Sequence, residues 1–150
     1  MTANTIQGLK KIQPFKFSDK RGDILEVSSG FTIKAITHTR SYPKSFRGIH
    51  VQGWDKIVYL ASGGVHALFV DDRKGSETYG KVLETTMFAG DAYFVPKGVG
   101  NSYFVADSSP VDYFYFNSEE YDAKKTYTIP YKFHWDLPKD TIISNKDKYI

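Results

Sequence analysis

Short apolar runs separated by turn residues dominate this chain, and hardly any stretch shows a helical period. The clearest run is residues 31–38 (FTIKAITH), where Phe31, Ile33, Ala35 and Thr37 alternate with Thr32, Lys34, Ile36 and His38. A period of two predicts a strand with its two faces in different surroundings. Residues 9–17 (LKKIQPFKF) read as extended, with Pro14 suited to an edge, and Asp19-Lys20-Arg21-Gly22 is turn chemistry before Ile24, Leu25 and Val27. Further strands are expected at 65–71 (VHALFVD), 78–87 (TYGKVLETTM), 92–96 (AYFVP), 102–105 (SYFV) and 111–116 (VDYFYF). Residues 118–125 (SEEYDAKK) form the one helix candidate, with Ser118 as N-cap and acids in its first turn. Antiparallel strands at this spacing imply a sandwich, jelly roll or barrel, and the 150 residues are expected to form a single domain, 1–150.

The stretch with most chemistry is 47–60, RGIHVQGWDKIVYL. Arg47, His50, Gln52 and Lys56 stand within ten residues, and on an unbroken strand His50, Gln52, Trp54 and Lys56 would share a face. Gly53 is a place for a bulge that would break that alignment. Four polar groups on one face do not suit a dry core, because each needs a partner or water. A solvated outer face with an incidental histidine and a wet concave pocket both meet that need.

Composition narrows the classes. Hydrophobic residues make up 41% and charged residues 25%, as in ordinary globular domains, while 11 Phe, 11 Tyr and 2 Trp favour strands and a stacking-capable pocket. A net charge of +3 is too small and scattered to argue for nucleic acid, but leaves room for a locally positive cavity that takes an anionic small molecule. The absence of cysteine excludes disulfide and thiolate chemistry. No apolar run reaches the length of a membrane span and the N-terminus lacks an apolar leader, so no membrane association and a cytoplasmic address are expected.

Several segments, taken in order, resemble the nucleotide-sugar 3,5-epimerase family, typified by dTDP-4-dehydrorhamnose 3,5-epimerase. They are DKRGDILE (19–26), RGIHVQ (47–52), DKIVYLASGGVHALFVDDRKGSETYG (55–80), GDAYFVPKGVGNSYFV (90–105), DYFYF (112–116) and SNKDK (144–148). The resemblance spans nearly the whole chain. It implies an all-β, antiparallel cupin-type jelly roll, a homodimer formed by strand exchange, and a nucleotide-diphosphate sugar as substrate. It also implies roles. His50 matches the catalytic base, Asp147 the carboxylate that orients it, Lys56 the lysine beside the developing enolate, and Tyr115 the acid on the opposite face of the sugar. Tyr113 competes for that last role from the same face of the strand; Tyr115 is preferred because it stands six residues before Tyr121, as in the family's tyrosine pattern. Arg21 and Arg47 match residues at the nucleotide diphosphate and the substrate entrance, and Gln52, Arg73, Asn101 and Tyr121 complete the expected substrate contacts.

Those residue types suit the reaction. A proton alpha to a ketone needs a base poised near neutrality, and imidazole is the natural choice. A carboxylate on its other nitrogen sets the tautomer and raises its basicity. A cation at the ketone oxygen stabilises the enolate, and such donors contribute about 3–4 kcal/mol each. A tyrosine hydroxyl can return the proton from the other side. The scheme requires no metal or redox cofactor, and the chain lacks a metal-cupin ligand set, with one His in its first motif and Asn101 where the family usually has a second His. Two other functions compete: a keto-sugar 3,4-ketoisomerase, disfavoured because those enzymes carry HxH where this chain has HVQ, and a non-catalytic sugar-binding cupin. His38 and His66 are expected to be structural, since no carboxylate partner is evident for them in the sequence, and His134 is expected to pack beside Trp135.

Overall fold

The structure is a computed structural model and describes residues 5–148. Most of the period-two segments become strands, because alternation lets each lay its apolar side chains between two sheets. The strands are β1 (Lys10–Ile12), β2 (Phe15–Asp19), β3 (Gly22–Glu26), β4 (Ala35–Ser41), β5 (Ser45–Gln52), β6 (Lys56–Ser62), β7 (Gly64–Asp71), β8 (Val82–Phe88), β9 (Ala92–Val95), β10 (Val99–Phe104), β11 (Val111–Asn117), β12 (Thr126–Thr128) and β13 (Ile142–Ile143). One sheet runs β1-β9-β6-β11-β4 and the other β12-β5-β10-β7-β8, with β13 added alongside β5. Every pairing among the described residues is antiparallel except β13 with β5. The result is an antiparallel β jelly roll of the cupin type.

Between the sheets lie Val58, Leu60, Val65, Ala67, Phe69, Met87, Val95, Tyr103, Val111 and Tyr113, all buried. Each large apolar side chain removed from water there contributes about 1.5–3 kcal/mol. A second cluster sits on the outer face of the second sheet: Phe46, Ile49, Leu68 and Val70, covered by Tyr131, Trp135, Leu137 and Ile143 of the C-terminal segment. That segment is held by β13 and by the Trp135 indole N–H, which donates to Ser102 Oγ at 3.0 Å. The strands β2 and β3 form a separate hairpin, and among the described residues they ladder only to each other.

Three expectations change. The helix over 118–125 reduces to a 3-10 turn, Ala123–Lys125, capped by Asp122, whose carboxylate accepts from the Lys124 amide. Ser118 caps nothing; it exchanges hydrogen bonds with the Asp55 backbone and ties down the corner between β5 and β6. The strand over 78–87 begins only at Val82, because Ser76 and Thr78 turn inward to the buried Asp71. The strand over 31–38 likewise begins late, at Ala35. No helix among the described residues is long and apolar enough to cross a membrane.

Candidate active site

His50 and Asp147 are 97 residues apart in sequence, yet His50 Nε2 lies 2.9 Å from Asp147 Oδ1. The C-terminal segment brings them together: after packing on the outer face of β5 and β10 it ends in α1 (Asn145–Lys148), which holds Asp147 against β5. Residue 48, between them and β10, is glycine, which lets β5 and β10 approach closely. Its φ is +131°, and a Cβ there would sit 2.3 Å from the Ser102 Cβ. The Gly48 N–H points at Asp147 Oδ2, 3.4 Å away. Burial pushes the Asp147 carboxyl up, but the hydrogen bond and charge of His50, with help from Gly48 and Ser144, outweigh it and hold the carboxyl below its ordinary range. A carboxylate only accepts, so the proton of a neutral His50 resides on Nε2, and Nδ1 is left with a free lone pair.

Gln52 and Lys56 come together differently from the expected shared strand face. β5 stops at Gln52, the chain turns through Gly53, Trp54 and Asp55, and Lys56 starts β6 in the opposite sheet. The Lys56 ammonium donates to Gln52 Oε1 and stands 5.8 Å from the centre of the Tyr115 ring. It is 1% exposed and lies behind Gln52 rather than on the cavity wall, and that burial lowers its pKa from 10.5 to about 7. Burial also raises the Tyr115 hydroxyl well above its ordinary value, so it keeps its proton at neutral pH. Tyr113 does not line the cavity: it is buried in the core, with its hydroxyl against the Met87 sulfur.

A cavity of about 250 Å³ opens between the sheets. Arg47, His50 and Gln52 line it from β5 and Asn101 from β10; Thr37, Thr39, Tyr115 and Asn117 line it from the other sheet. Base and hydroxyl candidates therefore face one space from opposite sheets. Arg47 Nε donates to Ser41 Oγ at 2.7 Å, which anchors the guanidinium at the wall. Trp54 and Tyr121 also border the cavity, their rings edge to face at 6.3 Å, with Tyr121 67% exposed. Among the described residues, no three His, Asp or Glu side chains gather into a metal-binding group.

Two expected contacts lie elsewhere. Arg73 is locked at the β7–β8 turn, its guanidinium donating to both Asp71 oxygens and to the Gln7 carbonyl, and it is absent from the cavity wall. Arg21 sits at the tip of the β2–β3 hairpin, paired with Asp19 and largely exposed. Lys146 borders the cavity and was not anticipated; its place beside Asp147 in SNKDK was the available signal. His38 also departs from expectation. Its Nε2 is 2.7 Å from Asp112 Oδ1, a cross-strand partnership that sequence separation hides.

The family model for dTDP-4-dehydrorhamnose 3,5-epimerase matches residues 3–150. The chain belongs to that family. A protein described as an RmlC homolog from Streptococcus pyogenes is 39% identical over 86 residues, covering 55% of this chain and 43% of its own. The dTDP-4-dehydrorhamnose 3,5-epimerase of Neisseria gonorrhoeae is 28% identical over 157 residues, covering 93% of this chain and 48% of its own. The chain thus spans less than half the length of these two curated relatives. Among solved structures, the epimerase RmlC from Legionella pneumophila in complex with dTDP-4-keto-L-rhamnose is 26% identical, with a TM-score of 0.83 over 95% of this chain and 86% of that one. Asn101, where the resemblance leads one to expect a second histidine, lines the cavity beside the dyad: β10 pairs it directly with His50.

Proposed function

We propose that the chain is a cofactor-independent epimerase that inverts C3, C5 or both in a nucleotide-linked 4-keto-6-deoxy sugar, a step of deoxysugar biosynthesis. One observation carries the proposal: on a member of this family, the His50–Asp147 dyad and the Tyr115 hydroxyl enter one cavity from opposite sheets. Inversion requires that geometry, since the proton leaves one face of the ring and returns to the other. His50 Nδ1 takes the proton alpha to the ketone, and the electron pair moves onto the ketone oxygen as an enolate. Lys56 donates to that oxygen, a charge-assisted contact in a water-poor site. Tyr115 then delivers its proton to the opposite face as the ketone re-forms, and the nearby Arg47 stabilises the phenolate left behind. His50 returns its proton to solvent and Tyr115 regains one, so the net change is configuration alone.

The cavity is below the usual range of about 300–1,000 Å³ for small-molecule pockets. It suits the sugar ring, with the nucleotide at the mouth near Tyr121, Lys146 and Arg47. Shifting a carbonyl between carbons remains the second reading, and HVQ in place of a paired-His motif speaks against it. Incubation of the dTDP-linked 4-keto-6-deoxy sugar with the protein in deuterated water, followed by proton NMR, tests the reaction class. Deuterium at C3 or C5 with inverted configuration is the expected product; a moved carbonyl, or no incorporation, contradicts it.

The working form is a homodimer with a cytoplasmic address. The β2–β3 hairpin carries Phe15, Phe17, Ile24 and Leu25, between 38% and 65% exposed, and no other strand among the described residues pairs with it. Such an apolar ribbon invites pairing with a second copy, which would also carry Arg21 away from its own chain. Sedimentation at micromolar concentration should give twice 17.1 kDa; the monomer mass contradicts this.

A further inference from the structure

Buried polar side chains nearly always find a partner, so one that does not points to what is absent. Among the described residues, one buried side-chain oxygen or nitrogen has no hydrogen-bond partner: Asn101 Oδ1. The residue is 2% exposed and lines the cavity. Its strand neighbours across the ladder are His50 on one side and Phe69 on the other, and it lines the same cavity as Tyr115. Asn101 therefore sits between the group that removes the proton and the group that returns it.

The partner that Oδ1 lacks must be a donor. The ketone of a 4-keto sugar has no hydrogen to give, and the neighbouring donor suited to it is Lys56. Among the groups of such a sugar, a ring hydroxyl is what remains. We propose that Asn101 Oδ1 selects the sugar, accepting a hydrogen bond from a hydroxyl at C2 or C3 of the ring held between His50 and Tyr115. This assignment rests on the epimerase reading of the cavity. A histidine here would gain and lose a proton near neutral pH; a carboxamide does not, so this chain's demand for the hydroxyl is independent of pH.

Sites that hydrogen-bond a substrate hydroxyl reject the analogue without it strongly, because the buried acceptor is then stranded. The test compares the dTDP-linked 4-keto-6-deoxyhexose with its 2-deoxy and 3-deoxy counterparts, reading kcat/KM for solvent-deuterium exchange and, separately, Kd by calorimetry. The wild-type protein should disfavour one of the two deoxy sugars by at least about 10²-fold in kcat/KM, equally at pH 6 and pH 8, and by roughly tenfold or more in Kd. Asn101→Ala should reduce that preference to within about threefold. Asn101→Asp keeps the acceptor and the volume and should retain the preference; it decides the matter if Asn101→Ala does not fold. Preference unchanged in Asn101→Ala, preference lost in Asn101→Asp, or no preference in the wild type would overturn the assignment. A wild-type protein that exchanges no deuterium sinks the epimerase reading instead, and the Kd ratios still decide for or against Asn101.

Discussion

Among the described residues two histidine–aspartate pairs have nearly the same length, and on the proposed reading only one of them does chemistry. His50 and Asp147 meet at 2.9 Å, His38 and Asp112 at 2.7 Å, both through Nε2. Asp147 is 4% exposed and, among the described residues, forms its ion pair with His50, so its influence falls on that imidazole. Asp112 lies on the outer face of the first sheet and is shared among His38, Arg40 and Ser62. His38 stacks on Phe114 with ring centres 4.4 Å apart, an arrangement that immobilises the ring without giving it anything to deprotonate. The difference lies in the surroundings. A protonated tyrosine and an orphaned carboxamide line the cavity that His50 faces, a buried lysine stands behind its wall on Gln52, and His38 has none of these.

Substitutions can break this contrast to different degrees. Outside the base and the acid themselves, Lys56→Met should have the largest effect, slowing exchange and inversion together by roughly 10²–10³-fold, because the enolate is common to both. The same change should stabilise the fold. Burial lowers the Lys56 pKa from 10.5 to about 7, so between those values the unfolded chain binds the extra proton and stability rises with pH. Urea midpoints of the wild type should climb from pH 7 toward 10.5, while Lys56→Met should be flatter and more stable at neutral pH by on the order of a few kcal/mol. Next comes Asp147→Asn, which disturbs the tautomer and basicity of His50 without removing it; a loss of about 10²-fold in exchange rate is expected. Smallest is His38→Ala. Steady-state rates should stay within about threefold of wild type, and stability should fall by no more than about 1 kcal/mol, as for exposed pairs generally. A His38→Ala protein as impaired as Asp147→Asn would erase the distinction between the two pairs.

How much of this could be read from the chain varies with the physics involved. The strands were legible wherever alternation ran clean, as in 65–71 and 111–116, since period two is a local signal. Their starts were less so: Val82 begins β8 because Asp71, several residues earlier, gathers Ser76 and Thr78 into a turn. The grouping of His50, Gln52 and Lys56 was visible as sequence proximity, but its cause is a corner between sheets rather than one strand face. The pairing of Asp147 with His50 came through resemblance alone, because no local pattern connects residues 97 apart. His38 and Asp112 had no such aid and went unnoticed, although the ladder places them close in register, with Asp112 opposite Arg40 and Phe114 opposite His38. Arg73 was expected at the substrate through resemblance alone, and no local pattern in the sequence shows that its Nε and Nη2 donate to Asp71 and Gln7.

The central claim is that His50 removes the proton and Tyr115 returns it from the opposite face. It is tested most directly by following deuterium uptake and configuration in one NMR experiment on His50→Ala and Tyr115→Phe with the dTDP-linked 4-keto-6-deoxy sugar. Without His50 no enolate forms, so exchange and inversion should both vanish, a loss of at least about 10²–10⁴-fold. Without the Tyr115 hydroxyl the enolate still forms, so deuterium should enter with retained configuration while inversion collapses. His50→Ala that still exchanges, together with Tyr115→Phe that loses exchange and inversion equally, would reverse the assignment of base and acid.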